Sequence, residues 1–90
     1  MAHFSEALLT GRFKKSYKKL HPNAQKQCDQ AVKQVIDDPT YSGLKAKPIK
    51  PTKIYWEARI NRADRLVYKP YGETVHFLDI VNHDDLSKYE

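Results

Sequence analysis

Residues 54–85 constrain the fold most, because apolar side chains there recur at every second position rather than along a helical stripe. Over 54–62, Ile54, Trp56, Ala58 and Ile60 share one face of an extended chain, and Tyr55, Glu57, Arg59 and Asn61 share the other. After Ala63-Asp64, a second strand over 65–71 puts Leu66 and Tyr68 on one side and Arg65, Val67 and Lys69 on the opposite one. The run Pro70-Tyr71-Gly72-Glu73 is turn chemistry. Residues 74–81 are almost wholly apolar, the pattern of a strand that lies inside a sheet. Arg59 and Arg65 therefore sit on strands joined by a hairpin, and His83 follows the third strand. Cations gathered on a sheet face beside a histidine mark the place to look for function.

The N-terminal half changes period. Ala7-Leu8-Leu9 reads as a short edge strand, and Thr10 as the N-cap of a helix over 12–20 on which Phe13, Tyr17 and Leu20 recur at helical spacing. Arg12, Lys14, Lys15, Lys18 and Lys19 fill the rest of that surface. The cluster reads first as a solvated charged face, one that would still attract a polyanion at long range. His21-Pro22 breaks the chain and starts a second helix over 22–36, with Ala24, Cys28, Ala31, Val32, Val35 and Ile36 as its apolar stripe, until Asp37-Asp38-Pro39 ends it. Cys28 on that stripe is a small core residue rather than a nucleophile. From 40 to 53 the chain is irregular. Two prolines and four lysines (Lys45, Lys47, Lys50 and Lys53) between 45 and 53 predict extended basic backbone, with a short strand near residue 45. Asp84 and Asp85 favour a last helical turn carrying Leu86 and Tyr89.

The order is thus β-α-α-β-β-β: an α+β fold with a small, mostly antiparallel sheet (three C-terminal strands plus a short N-terminal one) packed against an N-terminal helical hairpin. Residues 1–90 are expected to form one domain, with the face bearing Glu57, Arg59 and Arg65 left open. Sixteen Lys and Arg against eleven Asp and Glu give a net charge of +5, which points to an anionic partner. A single cysteine excludes an internal disulfide and supplies no metal-ligand cluster. No apolar run has the length of a membrane span or of a signal-peptide core, so a soluble cytoplasmic protein is expected.

The order of a lysine-rich helical hairpin, Tyr55-Trp56-Glu57-Ala58-Arg59-Ile60, Arg65-Leu66-Val67-Tyr68 and an apolar strand ending in His83-Asp84 resembles the RelE/ParE superfamily, toxins of type II toxin–antitoxin pairs. The resemblance covers nearly the whole chain. It implies a metal-independent endoribonuclease that cleaves mRNA on the ribosome through 2′-hydroxyl attack, needs no cofactor and is held inactive by an acidic antitoxin. In its ParE branch it implies a gyrase inhibitor without nuclease chemistry. A third alternative is a non-catalytic module of the same fold that binds nucleic acid.

In the nuclease branch, Arg59 and Arg65 would stabilise the charge of a phosphorane-like transition state. Glu57 would accept the 2′-hydroxyl proton, His83 would serve as acid or base, and Tyr89 would stack on a base or bind a phosphate. Lys45, Lys47, Lys50 and Lys53 would extend the RNA-binding surface. The sequence departs from the family in having Trp56, Glu57 and Ala58 where ribosome-dependent members often carry lysines. It also has an aspartate, not a tyrosine, after His83. Each site also has a structural reading: a lateral Glu57–Arg59 ion pair, Arg65 paired with Asp79 or Asp85, and His83 capping the last turn.

Overall fold

The computed structural model describes residues 3–50 and 54–89, the last three by backbone alone. The elements run β1 (Glu6–Leu9), α1 (Gly11–Lys18), α2 (Pro22–Asp37), a 3₁₀ turn (Ser42–Leu44), β2 (Lys47–Pro48), β3 (Trp56–Arg59), β4 (Asp64–Tyr71), β5 (Thr74–Asn82) and a closing 3₁₀ segment (His83–Tyr89). The sheet order is β1-β5-β4-β3-β2. Strand β1 lies parallel to β5, and the other pairs are antiparallel. The helical hairpin supplies the crossover that a parallel pair requires.

Local signals set the helix boundaries. Thr10 Oγ1 accepts the Phe13 N–H at the start of α1, and His21 Nδ1 accepts the Ala24 N–H at the start of α2, beside Pro22 in its first turn. Ala24, Cys28, Ala31 and Val35 are buried, the last three in one cluster with Leu66, Tyr68, Phe77 and Ile80 of the sheet. Phe13 of α1 joins them.

The first strand of the hairpin is shorter than the 54–62 read from alternation. Asn61 ends it, its Oδ1 accepting the Ala63 and Asp64 N–H groups at 2.9 and 2.8 Å. Its Nδ2 donates to Asp64 Oδ2 and to Gln27 Oε1. This turn closes the β3–β4 hairpin through side-chain bonds. The extra strand expected near residue 45 forms at Lys47–Pro48, against β3.

The sheet face away from the helices is not open throughout. Ile49, Val67, Val81 and Leu86 form a second apolar cluster there, with Tyr55 and Leu78 packed against it. Leu86 comes from the closing 3₁₀ segment, which folds back across β5. A bulge makes this possible. Val67 pairs with Asp79 but Tyr68 with Phe77, so Leu78 is an extra residue in β5. Phe77 and Ile80 both face the helices, and Val81 turns to the second cluster.

Candidate functional site

The part of that face left uncovered lies at the hairpin end. Glu57 and Arg59 alternate onto one side of β3, and Arg65 is the register partner of Arg59. Lys47 on β2 is the register partner of Glu57. His83 enters from the end of β5, its N–H bonded to the Ala63 carbonyl at 2.7 Å across the hairpin loop. Together Lys45, Lys47, Glu57, Arg59, Arg65 and His83 line one recess of ≈ 230 Å³. A neighbouring recess of ≈ 480 Å³ shares Lys47, Glu57 and His83 and adds Lys50 and Asp84.

Each side chain is held differently. Arg65 donates through Nη1 to the carbonyls of Asn61, Arg62 and Asp64, at 2.7, 3.2 and 3.1 Å. Its partners are thus loop carbonyls of the hairpin, and the Nη1 end of its fork has a structural task. Glu57 is 8% exposed, yet no salt bridge among the described residues joins it to Arg59. The His83 side chain is 59% exposed, with Nδ1 3.8 Å from Asp84 Oδ1. Asp84 was legible as a helix-start residue but not as a neighbour of the imidazole. Lys45 sits in the left-handed region at φ 48°, a conformation that costs a lysine roughly 1–2 kcal/mol.

The other expectations divide. Lys45, Lys47 and Lys50 all border the two recesses. Lys53 lies outside the described residues, as does the side chain of Tyr89, whose backbone belongs to the closing 3₁₀ segment. Among the described residues no group of three or more His, Cys, Asp or Glu side chains is placed to hold a metal ion. No described helix is long and apolar enough to cross a membrane. Cys28 is fully buried, and burial pushes its thiol up to about 12, far from a nucleophile's range.

On the helix side of the sheet, Leu9, Phe13, Tyr17, Val32 and Ile36 line a groove of ≈ 690 Å³ between the helices, with Lys14, Lys18, Lys33, Asp29 and Asp37 at its margin.

The family model described as "ParE-like toxin of type II bacterial toxin-antitoxin system" matches residues 8–87. The chain belongs to this family of ParE-like toxins. Solved structures agree with the fold. YafQ from E. coli superposes with a TM-score of 0.71 at 21% identity, covering 90% of this chain and 96% of that one. The YoeB/ParE toxin from Agrobacterium tumefaciens gives 0.72 at 18% identity, over 87% and 98%. A chain of the RelB–RelE antitoxin–toxin complex from Methanococcus jannaschii gives 0.73 at 18% identity, over 91% and 96%. No curated protein sequence matches this ParE-like toxin. Its membership in the RelE/ParE superfamily accounts for the β-α-α-β order and the mixed sheet.

Proposed function

We propose that this toxin is a cytoplasmic endoribonuclease that cuts mRNA on the ribosome by 2′-hydroxyl attack. The observation that carries the reading is the convergence of Glu57, Arg59, Arg65 and His83 on one recess, with lysines at its rim. Glu57 takes the 2′-hydroxyl proton as the 2′-oxygen bonds to phosphorus. The P–O5′ bond breaks, and protonated His83, beside the Asp84 carboxylate, gives its proton to the leaving 5′-oxygen. The products are a 2′,3′-cyclic phosphate and a 5′-hydroxyl. Arg59 and the unengaged part of the Arg65 fork face the charge that grows on the phosphoryl oxygens. The partner that restrains the toxin is an acidic antitoxin, and the groove between α1 and α2 suits an amphipathic segment: apolar along its floor, with three lysines and two aspartates at its margin.

Ribosomes programmed with a reporter mRNA test the reading, with wild type beside Glu57→Gln and His83→Ala. Discrete cuts with cyclic-phosphate ends, reduced about a hundred- to ten-thousandfold in either variant, are the expected outcome. Wild type that makes no cuts removes the reading. A second reading, inhibition of gyrase without nuclease chemistry, is favoured by the ParE-like family model; it gains if wild type leaves mRNA whole and blocks gyrase supercoiling.

A further inference from the structure

We infer that Arg12, Lys15 and Lys19 form a second contact for RNA backbone, separate from the recess at Glu57 and His83. The inference rests on the reading that the recess takes RNA.

Strand β1 pairs with β5 only as far as Leu9 and Phe77. Beyond that point no strand among the described residues lies on the outer side of β5, and α1 follows β1 immediately along that length. Thr10 Oγ1 lies 3.0 and 3.1 Å from the Phe77 and Leu78 carbonyls, and Ser16 Oγ donates to Asp79 Oδ1 at 2.6 Å. Helix α1 is thus fastened along the half of β5 that carries Val81, the register partner of Arg65. In sheet order β4 and β5, neighbouring strands roughly 5 Å apart, lie between the recess and this helix, and the closing 3₁₀ segment crosses β5 on the recess's face. A polyanion that passes that segment would meet both surfaces.

The helix carries two basic stripes. Lys14 and Lys18 border the apolar groove. Arg12, Lys15 and Lys19, spaced i, i+3 and i+7, do not; with Ser16 and Asp79, and with Lys14 and Lys18 shared from the groove side, they line a second recess of ≈ 770 Å³. Among the described residues none of the three makes a salt bridge, the single such pair being His83–Asp84. No acid lies within α1 itself. Like charges at these spacings weaken a helix, so the pattern opposes the stability of the element that bears it. Asp79 is the one carboxylate in the recess; it is 7% exposed and bound by Ser16 and by the Ile80 N–H. It offsets part of the charge from beneath without reaching the outer surface.

The chemistry fits phosphate better than protein. The recess offers no apolar side chain as an anchor, and lysine is depleted at protein–protein interfaces. Cations that make no salt bridge among the described residues suit a backbone read by charge, where counterion release drives binding.

Fluorescence anisotropy with a labelled RNA stem-loop across a range of salt concentrations tests this. Wild type is compared with Arg12→Gln/Lys15→Gln/Lys19→Gln and with a control of equal charge, Lys26→Gln/Lys33→Gln/Lys69→Gln; thermal melts establish that all three fold. The ridge variant is expected to bind at least tenfold more weakly, with a slope of log K against log salt shallower by about two to three, and the control by less than one. Equal slopes for wild type and the ridge variant overturn the inference. So do equal losses in both variants, which would report net charge alone. Polyglutamate that displaces the RNA as effectively as unlabelled RNA does would also overturn it, in favour of an acidic protein. A wild type that shows the ridge-dependent slope but makes no cuts on ribosomes programmed with a reporter mRNA leaves the ridge standing and removes the nuclease reading.

Discussion

Arg59 and Arg65 face one another directly across the β3–β4 ladder, and among the described residues only Arg65 is tied down, by carbonyls of the loop that joins their strands. Like charges placed opposite each other oppose strand pairing, by about 0.2–1 kcal/mol. The site is therefore built against the preference of the sheet that carries it.

The two arginines should respond differently to substitution. Arg59→Gln is expected to raise stability by up to about 0.5 kcal/mol, because it relieves the repulsion, while cleavage falls. Arg65→Ala removes both charge and loop anchor and should cost about 1–2 kcal/mol with the fold retained. Urea denaturation alongside the cleavage assay separates the cases. An Arg65→Ala variant of unchanged stability would mean the carbonyl contacts contribute nothing.

Lys45 holds a left-handed backbone at the rim of the recess. Glycine adopts that conformation without a clash, so Lys45→Gly should gain about 0.5–1 kcal/mol after its greater unfolded-state entropy is deducted. RNA affinity should fall in the same variant. Stability and binding measured together decide; a loss of stability would show that the lysine side chain packs where it is drawn as solvated.

Trp56 stacks on Tyr68 with ring centroids 6.4 Å apart and packs against the main core, though it is only partly buried. Its removal should cost about 2–4 kcal/mol, at or below the usual range for a core aromatic. Differential scanning calorimetry of Trp56→Ala checks the value. An undiminished melting temperature would place the indole outside the core.

The buried Cys28 thiol should resist alkylation in the folded protein at pH 8 and react at once in denaturant. Its folded pKa of about 12 lies above the ordinary 9.0 because of burial. The unfolded thiol therefore ionises first, so this group's stability contribution is fully present below pH 9 and declines as pH rises from there toward 12. Mass spectrometry after timed iodoacetamide exposure reads the first effect, and melts between pH 8 and 11 the second. Rapid native labelling would contradict the burial.

Much of this was legible from residues alone. Thr10, Pro22 and the Ala24-Cys28-Ala31-Val35 stripe mark both helices, because caps and 3.6-residue periodicity are local properties. Alternation placed Glu57, Arg59 and Arg65 on one face, and His83 at the strand end joins them in the recess. What escaped depends on distance or on side-chain bonding. The Asn61 turn shortens β3 through hydrogen bonds that no hydrophobic pattern records. Ile49 and Leu86 cover part of a face expected to be open, and they come from segments 37 residues apart in the chain. The basic face of α1 was legible as a solvated surface that attracts a polyanion at long range, but the bonds from Thr10 and Ser16 that fasten the helix along β5 were not.

The bulge at Leu78 has a consequence of another kind. Both sides of β5 are apolar, so composition is blind to the half-period by which the strand is advanced there. Remove one residue between Val75 and Ile80, and Val81 would turn toward the helices, while the imidazole two positions later would leave by the wrong side of the sheet. The last strand can therefore drift widely in its choice of hydrophobic residues, but its length is under the control of the chemistry at its end.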